Sequence, residues 1–236
     1  MRFQDAAPDA RAIVYAGIQA DPLVARAADL LAGASLEQRI LARAVMNGET
    51  TDAAEWRAMF PGLFGPGAAD EPTRAISEAV LEASLEVADR GEQVRSQFRG
   101  AIVEALTERL LKRAVPAATS AAVRRERRIL FDGVRAEIHP YDVTVEIEGS
   151  AAAIDCKWGA RGISADVLHQ LDDARQHAAD DDERLAVALV VFDAARSCDV
   201  RLDRQTAPHD ATRVIGLEDL DALARPGALA SGGSGG

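Results

Sequence analysis

Apolar positions recur along this chain with two different periods, and the change between them divides it. In Leu36 to Met46 the apolar residues Leu36, Ile40, Leu41, Ala44 and Val45 fall on one helical stripe, which Asn47-Gly48-Glu49 interrupts. The helical pattern restarts after Thr51 or Asp52, either of which is a suitable N-cap. A Pro/Gly-rich stretch at 61–72 marks a loop or boundary, helical periodicity returns from Thr73, and after Gly91 it continues through "QFRGAIVEALTERLLKRAV". From about residue 123 the period falls to two. "YDVTVEIE" (141–148) alternates strictly, Gly149-Ser150 is a turn signal, and "AAAIDCKW" (151–158) reads as a second strand. Ser164 is placed to cap a helix through "ADVLHQLDDARQHA"; "RLAVALVVF" suits a strand covered on both faces; "TRVIGLEDLDALA" gives a short strand and a closing helix. From residue 97 the order is helix, two or three antiparallel strands, helix, strand, strand, helix. That order predicts an α/β sandwich with a mixed sheet, preceded by an all-helical region.

Composition narrows the class. With 236 residues and 48% hydrophobic content the chain can bury a real core. Cys156 and Cys198 form neither a CxxC pair nor a disulfide framework, which fits a reducing compartment. The start, "MRFQDAAPDARAIVY", lacks a signal-peptide core, and no apolar run approaches the roughly 18 residues of a membrane span. The expectation is a soluble, cytoplasmic protein with no membrane partner. The final "SGGSGG" (231–236) has the composition of a flexible tail. Around Asn47-Gly48 the helix pair has the layout of a helix-turn-helix, but its second helix opens with Asp52 and Glu55, acids where a recognition helix would meet phosphates.

The formal charge of -11 is unevenly spread. Residues 109–128 hold Arg109, Lys112, Arg113, Arg124, Arg125, Arg127 and Arg128 against Glu126 alone, so 7 - 1 = +6 there and -17 elsewhere. Two readings are open, a solvated basic face and a local phosphate site on an otherwise repelling surface.

The 141–158 hairpin carries the candidate chemistry. Asp is depleted in strands, yet Asp155 stands in one, two residues before Lys157. A turn at Gly149-Ser150 would set Asp142 opposite Lys157 and Thr144 opposite Asp155, with all three charged groups on one face and Val143, Val145, Ile147, Ile154, Cys156 and Trp158 on the other. Two carboxylates supply hard oxygen ligands for Mg²⁺, and the neighbouring ammonium can orient a water or hold a phosphate oxygen. The bland alternative is a half-exposed strand whose polar face is solvated, with Glu146 and Glu148 on the same face.

An acid on one strand two residues after Pro140, a short hairpin, then Asp155-x-Lys157 on the next strand: these residues of "HPYDVTVEIEGSAAAIDCKW" resemble the PD-(D/E)xK, or restriction-endonuclease-like, nuclease superfamily. Upstream, "GAIVEALTERLL" is similar to the family's first helix; downstream, "VLHQLDDAR" is similar to the helix after the motif. The resemblance covers roughly 95–225 and implies a restriction-endonuclease-like domain at 95–230, with 1–94 as a helical region for control or assembly, by homodimerisation or through a partner protein. It further implies a metal-dependent nuclease, DNA favoured as substrate, of the kind used in bacterial defence or repair. Mg²⁺, or Mn²⁺, would be held by Asp142, Asp155 and the backbone carbonyl of Cys156. Lys157 would position or activate the attacking water, Glu104 and Gln170 would assist in the site, and Arg124, Arg125, Arg127 and Arg128 would contact phosphates. The alternative in the same fold is a noncatalytic module for nucleic-acid binding or assembly.

Overall fold

The two periods become two units in the computed structural model, which describes residues 1–6, 10–67, 70–115, 121–131, 134–135, 139–147, 150–227 and 229. Asp9–Leu106 forms a helical unit; Met1–Pro8 together with Thr107–Gly236 forms a sheet unit. The division differs from the expected boundary near residue 94 because α7 (Glu92–Ala114) runs through it without a loop. It differs also at the start, where the expected all-helical region opens with a strand, β1 (Arg2–Asp5). Four residues are too few to display a period.

In the helical unit four of the described helices each start at a side-chain cap. Asp21 caps α2 (Pro22–Gly33), accepting from Leu23 N at 2.8 Å, with Pro22 at the first helical position where its missing N–H costs nothing. Ser35 and Gln38 form a reciprocal capping box on α3 (Leu36–Asn47). Asp52, rather than Thr51, caps α4 (Ala53–Met59), and α5 (Pro61–Phe64) follows it. Asp70 caps α6 (Glu71–Ala88), whose Val80, Leu81 and Val87 are buried, as are Leu31 of α2 and Leu41 and Met46 of α3. α1 (Ala10–Gln19) precedes them all.

The sheet unit is an α/β layer. Its strand order is β1-β2-β4-β5-β6-β7, formed by β2 (Ala122–Phe131), β4 (Tyr141–Ile147), β5 (Ser150–Lys157), β6 (Leu185–Val191) and β7 (Arg213–Ile215), with β3 (Val134–Arg135) also paired to β2. The pairs from β1 to β5 are antiparallel, whereas β5, β6 and β7 run parallel. A parallel pair needs a crossover, here α8 (Ala165–Asp180), which Ser164 caps through Val167 N at 3.4 Å. Leu168, Leu171, Ala174 and Ala178 of α8 form one core cluster with Ala151 and Ala153 of β5 and Leu185, Val187, Leu189 and Val191 of β6. β6 is apolar throughout because it lies inside the sheet under α8. α9 (Ala195–Leu202) leads to β7, and the expected closing helix is a 3-10 helix, Leu217–Ala224, with Leu217, Leu220 and Leu223 buried.

The hairpin register differs from expectation by two residues. Ile147 faces Ser150 and Thr144 faces Ala153, not Asp155, so Ser150 opens β5 instead of turning. Glu148 and Gly149, between them, lie outside the described residues, as does the 231–236 tail. A shift of two leaves every side chain on its own face, so the hydrophobic pattern cannot distinguish the two registers. Among the described residues no helix is long and apolar enough to cross a membrane.

Leu189 is fully buried at the centre of this unit. Leu189→Ala is expected to destabilise it by about 2–5 kcal/mol, read as a lower urea midpoint at unchanged m-value. A loss below about 0.5 kcal/mol, the range of surface substitutions, would show that the α8–β6 layer is not the core.

Candidate active site

The β4–β5 ladder stops at Val143↔Ile154, and the candidate site begins where it stops. The next amide on that edge of β5, Cys156 N–H, donates to Asp142 Oδ2 at 2.6 Å, so a side-chain carboxylate stands in for the missing backbone partner. This bond fixes the Asp142 carboxylate beside β5. Cys156 turns its thiol to the Thr107 hydroxyl at 3.5 Å. On β5 itself Asp155 Oδ1 is ion-paired with Lys157 Nζ, two residues on. The sequence-predicted trio of Asp142, Asp155 and Lys157 is thus gathered at one place.

The solvated-strand alternative does not hold. Thr144 is completely buried, Asp155 is only 9% exposed, and Glu146 is engaged by Arg127. Lys157 is itself half-buried. Burial pulls its pKa down, but the negative charges of Asp155 and then Asp142, with the hydrogen bond that Lys157 donates to Asp155, outweigh that penalty and raise it above the usual lysine value. At neutral pH Lys157 is therefore an ammonium that donates; it has no lone pair with which to act as a base.

Glu126 belongs to this place although the sequence reading passed over it. It sits in β2 with φ +55°, a left-handed conformation that costs a non-glycine residue on the order of 1 kcal/mol or more. Its carbonyl accepts from Ala6 N at 3.1 Å, the regular β2–β4 pairing skips it, and its carboxylate comes within 4.8 Å of that of Asp142. A lone acid among four arginines, "RRERR", was the available signal. Two oxygen donors at that separation suit a hard divalent cation.

The remaining expected site residues are placed as follows. Glu104 belongs to the helical unit, where it is 4% exposed and accepts from the Tyr15 hydroxyl at 2.5 Å and Gln19 Nε2 at 2.7 Å. Gln170, on α8, donates to the His139 carbonyl at 3.2 Å, while its own carbonyl receives the Tyr141 hydroxyl at 3.4 Å; both bonds tie α8 to the start of β4. Trp158, directly after Lys157, stacks on the buried Phe192 with centroids 4.9 Å apart.

The basic run is largely neutralised at close quarters. Arg127 is 8% exposed and paired with Asp5 and with Glu146, and Arg125 is paired with Glu108 at 3.0 Å. Arg124 is exposed and Arg128 half-buried. Elsewhere the chain strongly prefers arginine: of its 27 basic residues only Lys112 and Lys157 are lysines. A lysine is therefore the exception, and at 157 it supplies a compact ammonium with three donors in place of a planar fork.

No family model, curated protein or solved structure matches the chain. Fold and site stand on their own geometry.

Arg127→Ala would leave Glu146, itself mostly shielded from water, without its cation. The expected cost is about 3 kcal/mol of unfolding free energy, measured by chemical denaturation. A loss in the range of exposed pairs, under about 1 kcal/mol, would return Arg127 to the solvated face.

Proposed function

We propose that the sheet unit is a metal-dependent nuclease of the restriction-endonuclease-like kind, hydrolysing phosphodiester bonds, with DNA the favoured substrate. The observation that carries this reading is the convergence of Asp142, Asp155 and Lys157 where the β4–β5 ladder ends, at the carboxyl end of a parallel strand, the edge on which open α/β sheets bind ligands. Asp142, Asp155 and Glu126 are hard oxygen donors that fit Mg²⁺ or Mn²⁺. Such an ion would neutralise charge on the scissile phosphate and make its bound water more acidic. Asp142, oriented by Cys156 N–H, and Asp155, oriented by Lys157, are the groups to hold it.

Lys157 keeps its proton and so serves as a hydrogen-bond donor, positioning the attacking water or steadying a nonbridging phosphate oxygen. Water adds to phosphorus, the bond from phosphorus to the leaving oxygen breaks, and that oxygen takes up a proton. The water's own proton departs to a carboxylate or to solvent. Phosphate contacts outside the centre fall to the exposed Arg124, since Arg125 and Arg127 are spent on Glu108, Asp5 and Glu146.

The decisive experiment pairs Mg²⁺ binding by calorimetry with cleavage of plasmid DNA. Asp142→Asn and Asp155→Asn should each abolish cleavage, while Lys157→Ala should keep metal binding and lose about 10²-fold or more in rate. Mutual repulsion of two carboxylates would by itself make removal of either stabilising, but Asp155 is the counterion of Lys157, so Asp155→Asn is expected to lower stability. Cleavage by Asp155→Asn in EDTA, or no Mg²⁺ binding by the intact chain, would overturn the nuclease and leave a noncatalytic module. Arg124→Ala should flatten the salt dependence of DNA binding by a slope of about 0.9. An unchanged slope would remove Arg124 from the phosphate surface.

A further inference from the structure

The segment after β5 turns back at once, through a 3-10 turn at Ala160–Gly162, and lays Gly162 against the stem of Lys157. A Cβ at 162 would stand 2.9 Å from Lys157 Cγ, 2.9 Å from Cδ and 3.0 Å from Cβ, closer than carbon atoms can share space. The backbone at 162 does not demand glycine, because the described glycines with positive φ are Gly67 and Gly227. What demands glycine is the lysine. The clash involves the middle and root of that side chain, so it cannot be relieved by moving a flexible tip.

Nor can the turn retreat. At its start Ala160 N donates to Asp193 Oδ2 at 3.0 Å; after it, the Ile163 carbonyl accepts from Arg201 Nε at 2.9 Å. Inside it Gly162 N bonds the Gly159 carbonyl at 2.9 Å and Ile163 N the Ala160 carbonyl at 3.1 Å. Ala160 and Ile163 are buried, and Asp193 is 8% exposed. With the turn held at both ends, any added carbon displaces Lys157 instead.

We propose that Gly162 is a positioning residue: its missing side chain is the slot that aims the Lys157 ammonium at Asp155 and so at the reacting phosphate. The catalytic half of this rests on the nuclease reading; the geometric half does not. A larger residue would rotate the stem out of the slot and separate Nζ from Asp155 Oδ1, so the cation is lost from the site although every charged residue is still present.

The chain's two lysines make the test direct, because Lys112 is an exposed internal standard, its side chain 56% accessible. Acetylation by N-hydroxysuccinimidyl acetate, followed by peptide mass spectrometry, should modify Lys157 about tenfold or more slowly than Lys112 in the parent protein, as a shielded ammonium requires. In Gly162→Ala, Lys157 labelling should rise several-fold at unchanged Lys112 labelling, Mg²⁺ affinity should be retained, and kcat for DNA cleavage should fall about 100-fold with little change in KM. Should Gly162→Ala not fold, Gly162→Ala/Lys157→Ala, which removes the Cγ and Cδ it strikes and leaves only the 3.0 Å approach to Cβ, should recover the fold. A folded Gly162→Ala with unaltered Lys157 labelling overturns the proposal, and so does a double variant that stays unfolded. If the parent protein cuts no nucleic acid with Mg²⁺, the nuclease reading fails while the labelling ratio still decides whether Gly162 sets the lysine.

Discussion

A lysine ammonium withdrawn from most of its water must have an anion within reach, and the arrangement of the sheet unit's site follows from meeting that need for Lys157. Asp155 supplies the anion from the same strand, which explains an acid where strands seldom carry one. Asp142 adds a second negative charge that the lysine also feels, and it is held by an amide that the ended ladder leaves to it. One cation then faces two carboxylates, with Glu126 close to the second. The surplus is negative, which is the charge balance that the proposed divalent cation would answer.

The same accounting of charge explains the basic strand. The seven cations in 109–128 left a solvated face and a phosphate site both open; four of them lie on β2, and two of those, Arg127 and Arg125, are matched by Asp5, Glu146 and Glu108. Arg127 packs its fork between β1 and β4, so it helps hold the first strand on the sheet. Local charge density in the sequence overstated what is left for a ligand.

Periodicity made the larger elements legible. The α8 start at Ser164 and the buried strand β6 follow directly from their residues, and so does the mixed sheet. What escaped was whatever periodicity cannot encode. A two-residue register shift preserves faces, so Thr144↔Ala153 was invisible; β1 is too short for a pattern; the left-handed turn of Glu126 depends on neighbours from β1 and β4. Part of the face of β4 and β5 that alternation marks as polar is buried, because Thr144, Ala151 and Ala153 are small; Asp142, Glu146 and Lys157 on it stay partly exposed. Asp142, Asp155 and Lys157 were readable as a set from spacing, whereas Gly162 acquires its meaning only from the atoms it nearly touches.

The first strand has a temporal consequence. Arg2 pairs with Leu130, so on the ribosome β1 emerges 130 - 2 = 128 residues before its neighbour. At about 5–20 residues per second that is a wait on the order of ten seconds, during which a four-residue segment has no ladder to join. The helical unit, continuous from Asp9 to Leu106, can finish folding in that interval. Closure of that sheet edge is therefore a long-range step with a high entropic barrier, open to the chain only once β2 has been made. A nascent chain stalled before β2 would carry a complete helical unit and a β1 segment with no strand to pair with.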